Sequence, residues 1–224
     1  MKHLISFLLV VVLITLSSFQ QVTSEDNNSP TNGSEPEASL EAYDLTADNW
    51  KTLEGKSLKL SVPATYRGGN PNLDLTEIES SLEEVNGDYS ERVQAVQQNI
   101  DEVALIAFDT QFFEDNTLTN VNIVQYPLEE EITLDAYLSQ AVGELEATHN
   151  IEEQEMVNRN GTSIGRILTT ITTEKGIDMT QLFYFHSGKD RIWITTYTTP
   201  SREFDQRVNN FEKSIASLEI EAVE

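Results

Sequence analysis

Few side chains in this chain could carry nucleophilic or acid–base chemistry. After Ser24 the imidazoles are His149 and His186, cysteine is absent, and no serine is predicted to occupy a strained Gly-x-Ser-x-Gly turn. Nucleophilic catalysis requires a base close to a serine or a cysteine, so we expect no enzyme of this kind. His149 follows a predicted helix and His186 ends a predicted strand, which favours structural or solvent-exposed roles for both. No catalytic residue is assigned.

Metal ligands are not predicted either. The chain has no thiolates and no paired histidines at the spacing of a zinc site. Its acidic groups lie at Asp101-Glu102, Glu114-Asp115, Glu129–Glu131 and Glu152–Glu155, and none has the alternating acidic spacing of a calcium loop. Adjacent acids on a loop point in different directions, so we expect a solvated surface, with loose binding of calcium or manganese as the alternative. We assign no metal ligand and no cofactor.

One segment departs from the acidity of the rest. From Lys51 to Arg67 four basic residues oppose the single acid Glu54, which gives this segment a net charge of +3. The candidate contact site for an acidic partner consists of Lys56, Lys59, Arg67, Gly68 and Gly69. The alternative is an edge strand that its lysines protect from aggregation.

The overall charge excludes several partners. The chain carries 38 acidic and 14 basic residues, for a net charge of −24. The chain therefore lacks the excess of basic residues that would neutralise the phosphates of a nucleic acid and so drive binding. Anionic lipid would repel the chain. Because there is no cysteine, we expect neither disulfides nor a bacterial lipid anchor. Oligomeric state is not predicted.

The N-terminal region resembles an export signal. Lys2 precedes an apolar run of 13 residues from Leu4 to Leu16, which is shorter than the roughly 20 residues of a membrane span. We predict a signal peptide over residues 1–24, cleaved after Ser24, with an uncut anchor as the alternative. Residues 25–46 hold six acids and no basic residue, which is typical of a disordered linker. The domain is predicted over residues 47–222, in the periplasm or outside the cell.

Alternation and helical spacing predict the elements of the domain. Leu58, Leu60 and Val62 alternate in a strand that Pro63 ends, and turn residues over 67–71 predict a loop. Two helices are predicted around Leu75–Leu82 and Tyr89–Val96, a strand covered on both faces at Val103–Phe108, and another at Asn120–Tyr126.

The second half is predicted as a helix, a meander of strands and a last helix. Thr133 is expected to cap a helix that ends near His149. Strands are predicted at Glu152–Asn158, Ser163–Thr173, Asp178–His186 and Arg191–Thr198. In the last helix, the apolar residues Phe204, Val208, Phe211, Ile215 and Leu218 recur at helical spacing, and Glu212 is expected to be exposed. This order predicts an antiparallel α+β fold.

Three sequence segments resemble a known protein family. Gly55–Pro63, the Asp135–Leu138 start of a helix and the closing helix of Phe204–Ile215 resemble the Mog1/PsbP-like family, which includes PsbP and many exported bacterial proteins. The resemblance implies an α/β/α sandwich around an antiparallel sheet, used for binding or scaffolding, and in a photosynthetic host it implies the thylakoid lumen. We therefore expect an exported, non-catalytic binding or assembly module with a protein partner in the cell envelope. The alternatives are a carboxylate-rich surface protein that binds calcium or manganese and, with less support, an enzyme with an unrecognised site.

Overall fold

The computed structural model describes residues 49–83, 90–114, 117–128, 132–159, 161–173 and 175–221. The predicted signal peptide and linker lie outside the described residues, as do both predicted limits of the domain, Asp115 and Glu129–Glu131.

The described residues form ten strands and four α-helices. The strands are β1 (Trp50–Gly55), β2 (Leu58–Pro63), β3 (Tyr66–Gly69), β4 (Val103–Glu114), β5 (Thr117–Pro127), β6 (Asn150–Arg159), β7 (Thr162–Thr172), β8 (Asp178–Ser187), β9 (Arg191–Pro200) and β10 (Glu219–Ile220). The helices are α1 (Pro71–Glu83), α2 (Ser90–Gln98), α3 (Leu134–Leu145) and α4 (Phe204–Ala216), and a 3-10 turn at Ser201–Glu203 precedes α4.

The strands make two antiparallel sheets. The large sheet has seven strands in the order β3-β4-β5-β9-β8-β7-β6, and the small sheet has three in the order β1-β2-β10. One hydrophobic cluster joins the large sheet to α1, α2 and α3, and a second joins its other face to the small sheet and α4. The large sheet is thus covered on both faces, and the predicted α+β sandwich around an antiparallel sheet is confirmed.

The most apolar predicted strand lies at the centre of this arrangement. Every residue from Val103 to Phe108 is at most 1% exposed, which confirms a strand covered on both faces. The register between β4 and β5 shifts between Val103 and Leu105, so a bulge interrupts the alternation there. The carbonyl oxygen of Ala104 accepts a hydrogen bond from the backbone N–H of Lys56 at 2.8 Å.

The apolar side chains of β2 face inward as predicted, but β2 is not an edge strand. Leu58, Leu60 and Val62 are at most 1% exposed. However, β2 pairs with β1 on one side and with β10 on the other, so the edge-strand alternative for its lysines is wrong. The sequence analysis did not predict β1 or β10, because neither shows a regular apolar alternation.

The predicted loop at residues 67–71 is also wrong. Tyr66–Gly69 form β3, which pairs with β4, and α1 begins directly at Pro71. Gly68 adopts a φ of +133°, and a Cβ atom there would lie 2.2 Å from the carbonyl oxygen of Ile106. Gly68 therefore allows close approach to β4 rather than a turn.

The two C-terminal helix predictions are confirmed. The Thr133 side chain accepts a hydrogen bond from the Ala136 N–H at 3.2 Å, which caps α3. In α4, Phe211 and Ile215 are buried against the large sheet, while Leu218 packs on the same cluster beyond the end of the helix. Among the described residues, no helix combines the length and the apolar composition of a membrane span.

Candidate functional site

Uncharged polar side chains cross the middle of the large sheet on the face that α1, α2 and α3 cover. Strand pairing aligns Asn120, Thr198, Gln181 and Thr169 in one row, and in the next row Asn122 lies opposite Thr196. All six residues are at most 2% exposed. We call this group the polar seam; its members are Asn120, Asn122, Thr169, Gln181, Thr196 and Thr198.

The polar seam lies between two helical units. Helix α1 packs on β3 and β4, whereas α3 packs on β6, β7 and β8. Strands β5 and β9, which carry four of the six seam residues, run through the sheet between those two groups of strands. Along β5 the seam is bordered by Leu118 and Val124, both within the hydrophobic cluster of this face. The seam is therefore a polar band within an apolar layer.

A histidine closes one end of the seam. His149, just after α3, makes a 2.8 Å hydrogen bond from Nε2 to Gln181 Oε1, and its Nδ1 lies 2.8 Å from Thr148 Oγ1. Because the amide oxygen of Gln181 accepts, Nε2 carries the proton, and Nδ1 accepts from the Thr148 hydroxyl. Burial lowers the pKa of His149. This residue is therefore a buried structural histidine, which is the first of the two roles, structural or solvent-exposed, expected from sequence.

Several seam atoms have no hydrogen-bond partner within the described chain. They are Asn120 Oδ1, Asn122 Oδ1 and Nδ2, Thr169 Oγ1 and Thr196 Oγ1. A buried polar group without a partner costs about 1–3 kcal/mol. Amides and hydroxyls can bind a ligand by hydrogen bonds, but none of them can act as a base near neutral pH.

The opposite face of the sheet holds a buried ion-pair network. Arg207 of α4 donates from Nη1 to Asp109 Oδ2 at 2.8 Å and from Nε to Glu203 Oε2 at 2.7 Å. All three side chains are at most 7% exposed. Tyr66 lies beside them, and burial, followed by the charge of Asp109, raises its pKa. These charges join α4 to β4, with one guanidinium paired to two carboxylates.

A second charged cluster corrects the expectation for Glu212. This residue accepts a 2.6 Å hydrogen bond from the Tyr184 hydroxyl and pairs with Arg159 and Arg166, and its side chain is only 29% exposed. Arg166 also contacts Glu153 and Glu155. Helical spacing alone placed Glu212 on the solvent side, but β6 to β8 extend beneath that side of α4.

His186 lies near the second charged cluster and is half-buried. Its neighbour on β9 is Trp193, and Nε2 has no hydrogen-bond partner within the described residues. Burial, and to a smaller extent the charge of Arg159, lowers its pKa to about 4. His186 is therefore neutral near pH 7.

One segment matches the Gly-x-Ser-x-Gly pattern of a serine nucleophile, namely Gly161-Thr162-Ser163-Ile164-Gly165. A nucleophile of that type needs a strained turn from a strand into a helix. Ser163 instead lies near the start of β7, opposite Asn158 of β6, and its strand continues to Thr172. The geometry is that of an ordinary hairpin, as the turn at Gly161 predicts.

The structure places the basic residues of the candidate contact site on different elements. Lys56 lies in the turn between β1 and β2 and donates from Nζ to the Asp101 carbonyl at 2.9 Å. On β2, Lys59 lies 4.0 Å from Glu54, with both side chains exposed. Arg67 of β3 donates to the carbonyl of Ala64 at 2.8 Å. None of these interactions joins one of the three basic side chains to another. Their role in binding stays a prediction.

The glycines of the candidate contact site have structural neighbours. Gly68 approaches the β4 backbone, as described above, and a Cβ atom on Gly69 would lie 2.6 Å from Asp74 Oδ2. Asp74 is in the first turn of α1, whose start is supported by a hydrogen bond from the Asn72 N–H to Asn70 Oδ1 at 3.0 Å. Both glycines thus serve the junction of β3, β4 and α1.

The acidic run on β6 is engaged in local contacts. Glu152 accepts hydrogen bonds from Asn150 and Thr170, and Glu153 and Glu155 pair with Arg166. Within the ranges that the structure describes, no group of three or more potential ligands is arranged to hold a metal ion.

No protein-family model matches the chain, and no curated protein matches it significantly. Solved structures do match. Cyanobacterial PsbP from Synechocystis matches with a TM-score of 0.49 and 9% identity, over 78% of this chain and 94% of that one. LpqN, involved in cell envelope biogenesis of Mycobacterium tuberculosis, matches with a TM-score of 0.49 and 12% identity, over 84% of this chain and 100% of that one. A Pseudomonas aeruginosa protein of unknown function matches with a TM-score of 0.43 and 14% identity, over 47% and 75% of the two chains.

Cyanobacterial PsbP is thus among the structures that this chain is similar to, in line with the Mog1/PsbP-like resemblance that the sequence indicated. At these identities the likeness concerns the fold alone. It gives this chain no residue role, ligand or partner.

Proposed function

We propose that this chain is an exported, non-catalytic binding module. The observation that carries the proposal is a difference between two sets of buried polar groups, one charged and one uncharged. The buried charges of Arg207, Asp109 and Glu203 are paired with one another between α4 and the large sheet. The groups without partners in the polar seam are amides and hydroxyls. Such groups can hold a molecule but supply no nucleophile activated by a base.

The two histidines support the same conclusion. His149 is buried and is held by hydrogen bonds from both ring nitrogens to Thr148 and Gln181, as in a structural histidine. His186 has a pKa of about 4, far below the neutral range in which a general base works best. Export is supported by the short apolar run after Lys2, which is followed by mostly polar residues up to Ser24.

A ligand-observed NMR experiment tests the proposal that the chain binds ligands without converting them. The purified full chain is mixed with a panel of neutral sugars, amides, carboxylates, amines and short peptides. Line broadening for some members without new resonances is the expected result, because the module binds and does not convert. New resonances from any bound compound would make the chain an enzyme and overturn the proposal, and so would a panel in which nothing binds.

The partner in the cell envelope is proposed to contact the surface of Lys56, Lys59 and Arg67. A double variant, Lys56→Glu with Lys59→Glu, reverses one charge in the turn between β1 and β2 and one on β2. Crosslinking in the native envelope should yield less of the partner adduct from this variant than from the unchanged chain. Equal yields would remove the surface from the proposal.

A further inference from the structure

Strand β6 lies at one edge of the large sheet and has a free side. It pairs with β7, and no second strand pairs with it among the residues that the structure describes. With ten residues β6 is long, whereas β3 at the opposite edge has four residues and packs against α1. Alternate N–H and C=O groups of an edge strand point away from the sheet, so they can pair with another extended chain.

The features that commonly prevent pairing at a sheet edge are scarce in β6. Lysine and proline are absent from the strand. A register shift between Ile151 and Glu153 marks a bulge near its start. From Glu153 to Arg159 the register is regular, and of these seven residues only Val157 and Arg159 are partly buried. A regular, accessible stretch of about 20 Å is therefore open to a partner.

We propose that β6 binds an extended, basic segment of another protein, which adds to the seven-stranded sheet as a further strand. The inference rests on the binding function proposed above and specifies the chemistry of one partner. Backbone hydrogen bonds along the free side hold the segment, and side chains on the two faces select it. This surface is different from the candidate contact site of Lys56, Lys59 and Arg67, which is basic and lies on other elements.

The charge of β6 selects a basic partner. The strand carries three acids, Glu152, Glu153 and Glu155, and one arginine, Arg159, for a net charge of −2. Glu153 and Glu155 share the guanidinium of Arg166, so these two carboxylates and one cation keep a net charge of −1. Their side chains are 56% and 49% exposed. A cation on the partner can therefore approach both carboxylates from solvent.

The two faces of β6 set the sequence pattern of the partner. Glu153 and Glu155 lie on the face that α4 covers, together with Val157, which packs on the hydrophobic cluster of that face. Met156 lies on the other face, opposite Gly165 of β7, and is 39% exposed. Opposing side chains of paired strands share a face. The partner therefore needs two basic residues two positions apart, with an apolar residue next to one of them.

A second copy of this chain fits the free side of β6 less well than a basic segment does. Each chain carries a net charge of −24, so two copies repel each other. The same charge attracts a basic partner and speeds its encounter with β6.

The probe for this site is an acetylated and amidated heptapeptide with the sequence Thr-Val-Val-Lys-Thr-Lys-Thr. In an antiparallel pairing its lysines lie opposite Glu153 and Glu155, and its second valine lies opposite Met156. Titration of the probe into the full chain is followed by NMR of the protein amides. We expect saturable shift changes centred on β6 below about 1 mM probe. A second peptide with glutamate in place of both lysines should bind about tenfold more weakly or not at all.

Two N-methylated forms of the probe distinguish strand addition from charge attraction. One form carries methyl groups on the amide nitrogens of its second, fourth and sixth residues, and the other on those of its third and fifth. An added strand directs only alternate N–H groups towards its neighbour. One form should therefore lose about tenfold or more in affinity, while the other stays close to the unmodified probe. Charge attraction alone would leave the two forms equal.

Two double variants of the chain form a matched pair. Glu153→Gln with Glu155→Gln removes two negative charges from β6. Glu219→Gln with Glu221→Gln removes the same charge, at the same spacing, from exposed positions at β10. The β6 variant should bind the lysine probe about fivefold more weakly, the effect of losing two exposed ion pairs. The β10 variant should stay within about twofold, and circular dichroism melts confirm that both variants fold.

Four binding results would overturn the inference. They are the absence of binding by the lysine probe, equal binding of its glutamate counterpart, equal affinities of the two N-methylated forms, and unchanged binding by the folded β6 variant. Sedimentation that shows self-association of the chain, reversed by the probe, would also overturn it, because the occupant of β6 would then be a second copy.

These outcomes are distinguishable from failure of the proposed function. Each of them leaves that function standing if another member of the NMR panel binds without turnover. Cleavage of the bound probe would instead end the proposed function while leaving β6 as the site of peptide binding.

Discussion

The guanidinium of Arg207 lies 2.8 Å from the carboxylate of Asp109, although 98 residues separate them in the sequence. Asp109 belongs to β4 of the large sheet, and Arg207 belongs to α4, which packs across that sheet. Glu203 contacts the same guanidinium from the turn before α4. One cation therefore holds two buried carboxylates and fixes the position of the last helix.

Removal of Arg207 is expected to destabilise the protein strongly. In Arg207→Met the two carboxylates stay buried without their counter-ion, and breaking such a buried pair costs about 3–5 kcal/mol. Urea melts measure the loss. Gln206→Ala, on the exposed face of the same helix, is the control and should change the free energy of unfolding by less than about 0.5 kcal/mol. Equal midpoints for the two variants would contradict a stabilising network.

The apolar side of α4 gives a second stability prediction. Phe211 is 2% exposed, and its ring stacks on Tyr197 with a centroid distance of 4.8 Å. We expect Phe211→Ala to cost about 3–5 kcal/mol in the free energy of unfolding, because it opens a cavity in a packed layer. Asn209→Ala, at an exposed position of the helix, is the control for chemical denaturation. A loss below about 1 kcal/mol for Phe211→Ala would mean that the helix does not dock as described.

Glu212 illustrates what helical spacing can and cannot predict. The spacing of Phe204, Val208, Phe211 and Ile215 predicted both the helix and its buried side, because that periodicity is local. The sequence could not predict that Tyr184 and two arginines reach Glu212, because those contacts depend on how far β6 to β8 extend beyond the helix. Glu212→Ala would therefore be a poor control for the helix.

The candidate site was missed for a related reason. Asn120 and Asn122, like Thr196 and Thr198, are polar residues two apart in buried strands, and this spacing places each pair on one face. That signal was present in the sequence. Which pairs become neighbours depends on the strand order, in which β9 inserts between β5 and β8. The sequence shows that β5 and β9 share this spacing of polar residues, but it does not show that the two strands are neighbours.

Two glycines should respond oppositely to the same substitution. Gly68 has a φ of +133°, and an added Cβ would lie 2.2 Å from the Ile106 carbonyl oxygen. We expect Gly68→Ala to cost about 1–3 kcal/mol, through backbone strain and displacement of β3. Gly143 lies in α3 with no atom within 4 Å of an added Cβ, so Gly143→Ala should gain about 0.5–1 kcal/mol. Thermal midpoints that move in the same direction would contradict this account.

Processing of the N-terminus is a separate prediction. The apolar run from Leu4 to Leu16 is short for a membrane span, and mostly polar residues follow it, ending in Val22-Thr23-Ser24. The exported protein should therefore begin at or near Glu25. Intact mass spectrometry of the protein recovered from its native host measures this directly. A membrane-embedded product that retains Met1 would identify the segment as an anchor.

The final prediction concerns acid stability and His186. Burial, with the Arg159 charge second, lowers the pKa of this imidazole to about 4, whereas in the unfolded chain it titrates near 6.5. As the pH falls from about 6.5 towards 4, the unfolded chain takes up the proton and the folded chain does not, so the stability present above pH 6.5 is progressively lost. His186→Leu removes this proton uptake. Its free energy of unfolding should therefore fall less steeply than that of the unchanged chain between pH 6.5 and 5, a range above the titration of most carboxylates. Urea melts at intervals across that range compare the two slopes, and Gln206→Ala should retain the original slope. Parallel slopes for His186→Leu and the unchanged chain would mean that His186 titrates equally in the folded and unfolded states and is not buried as described.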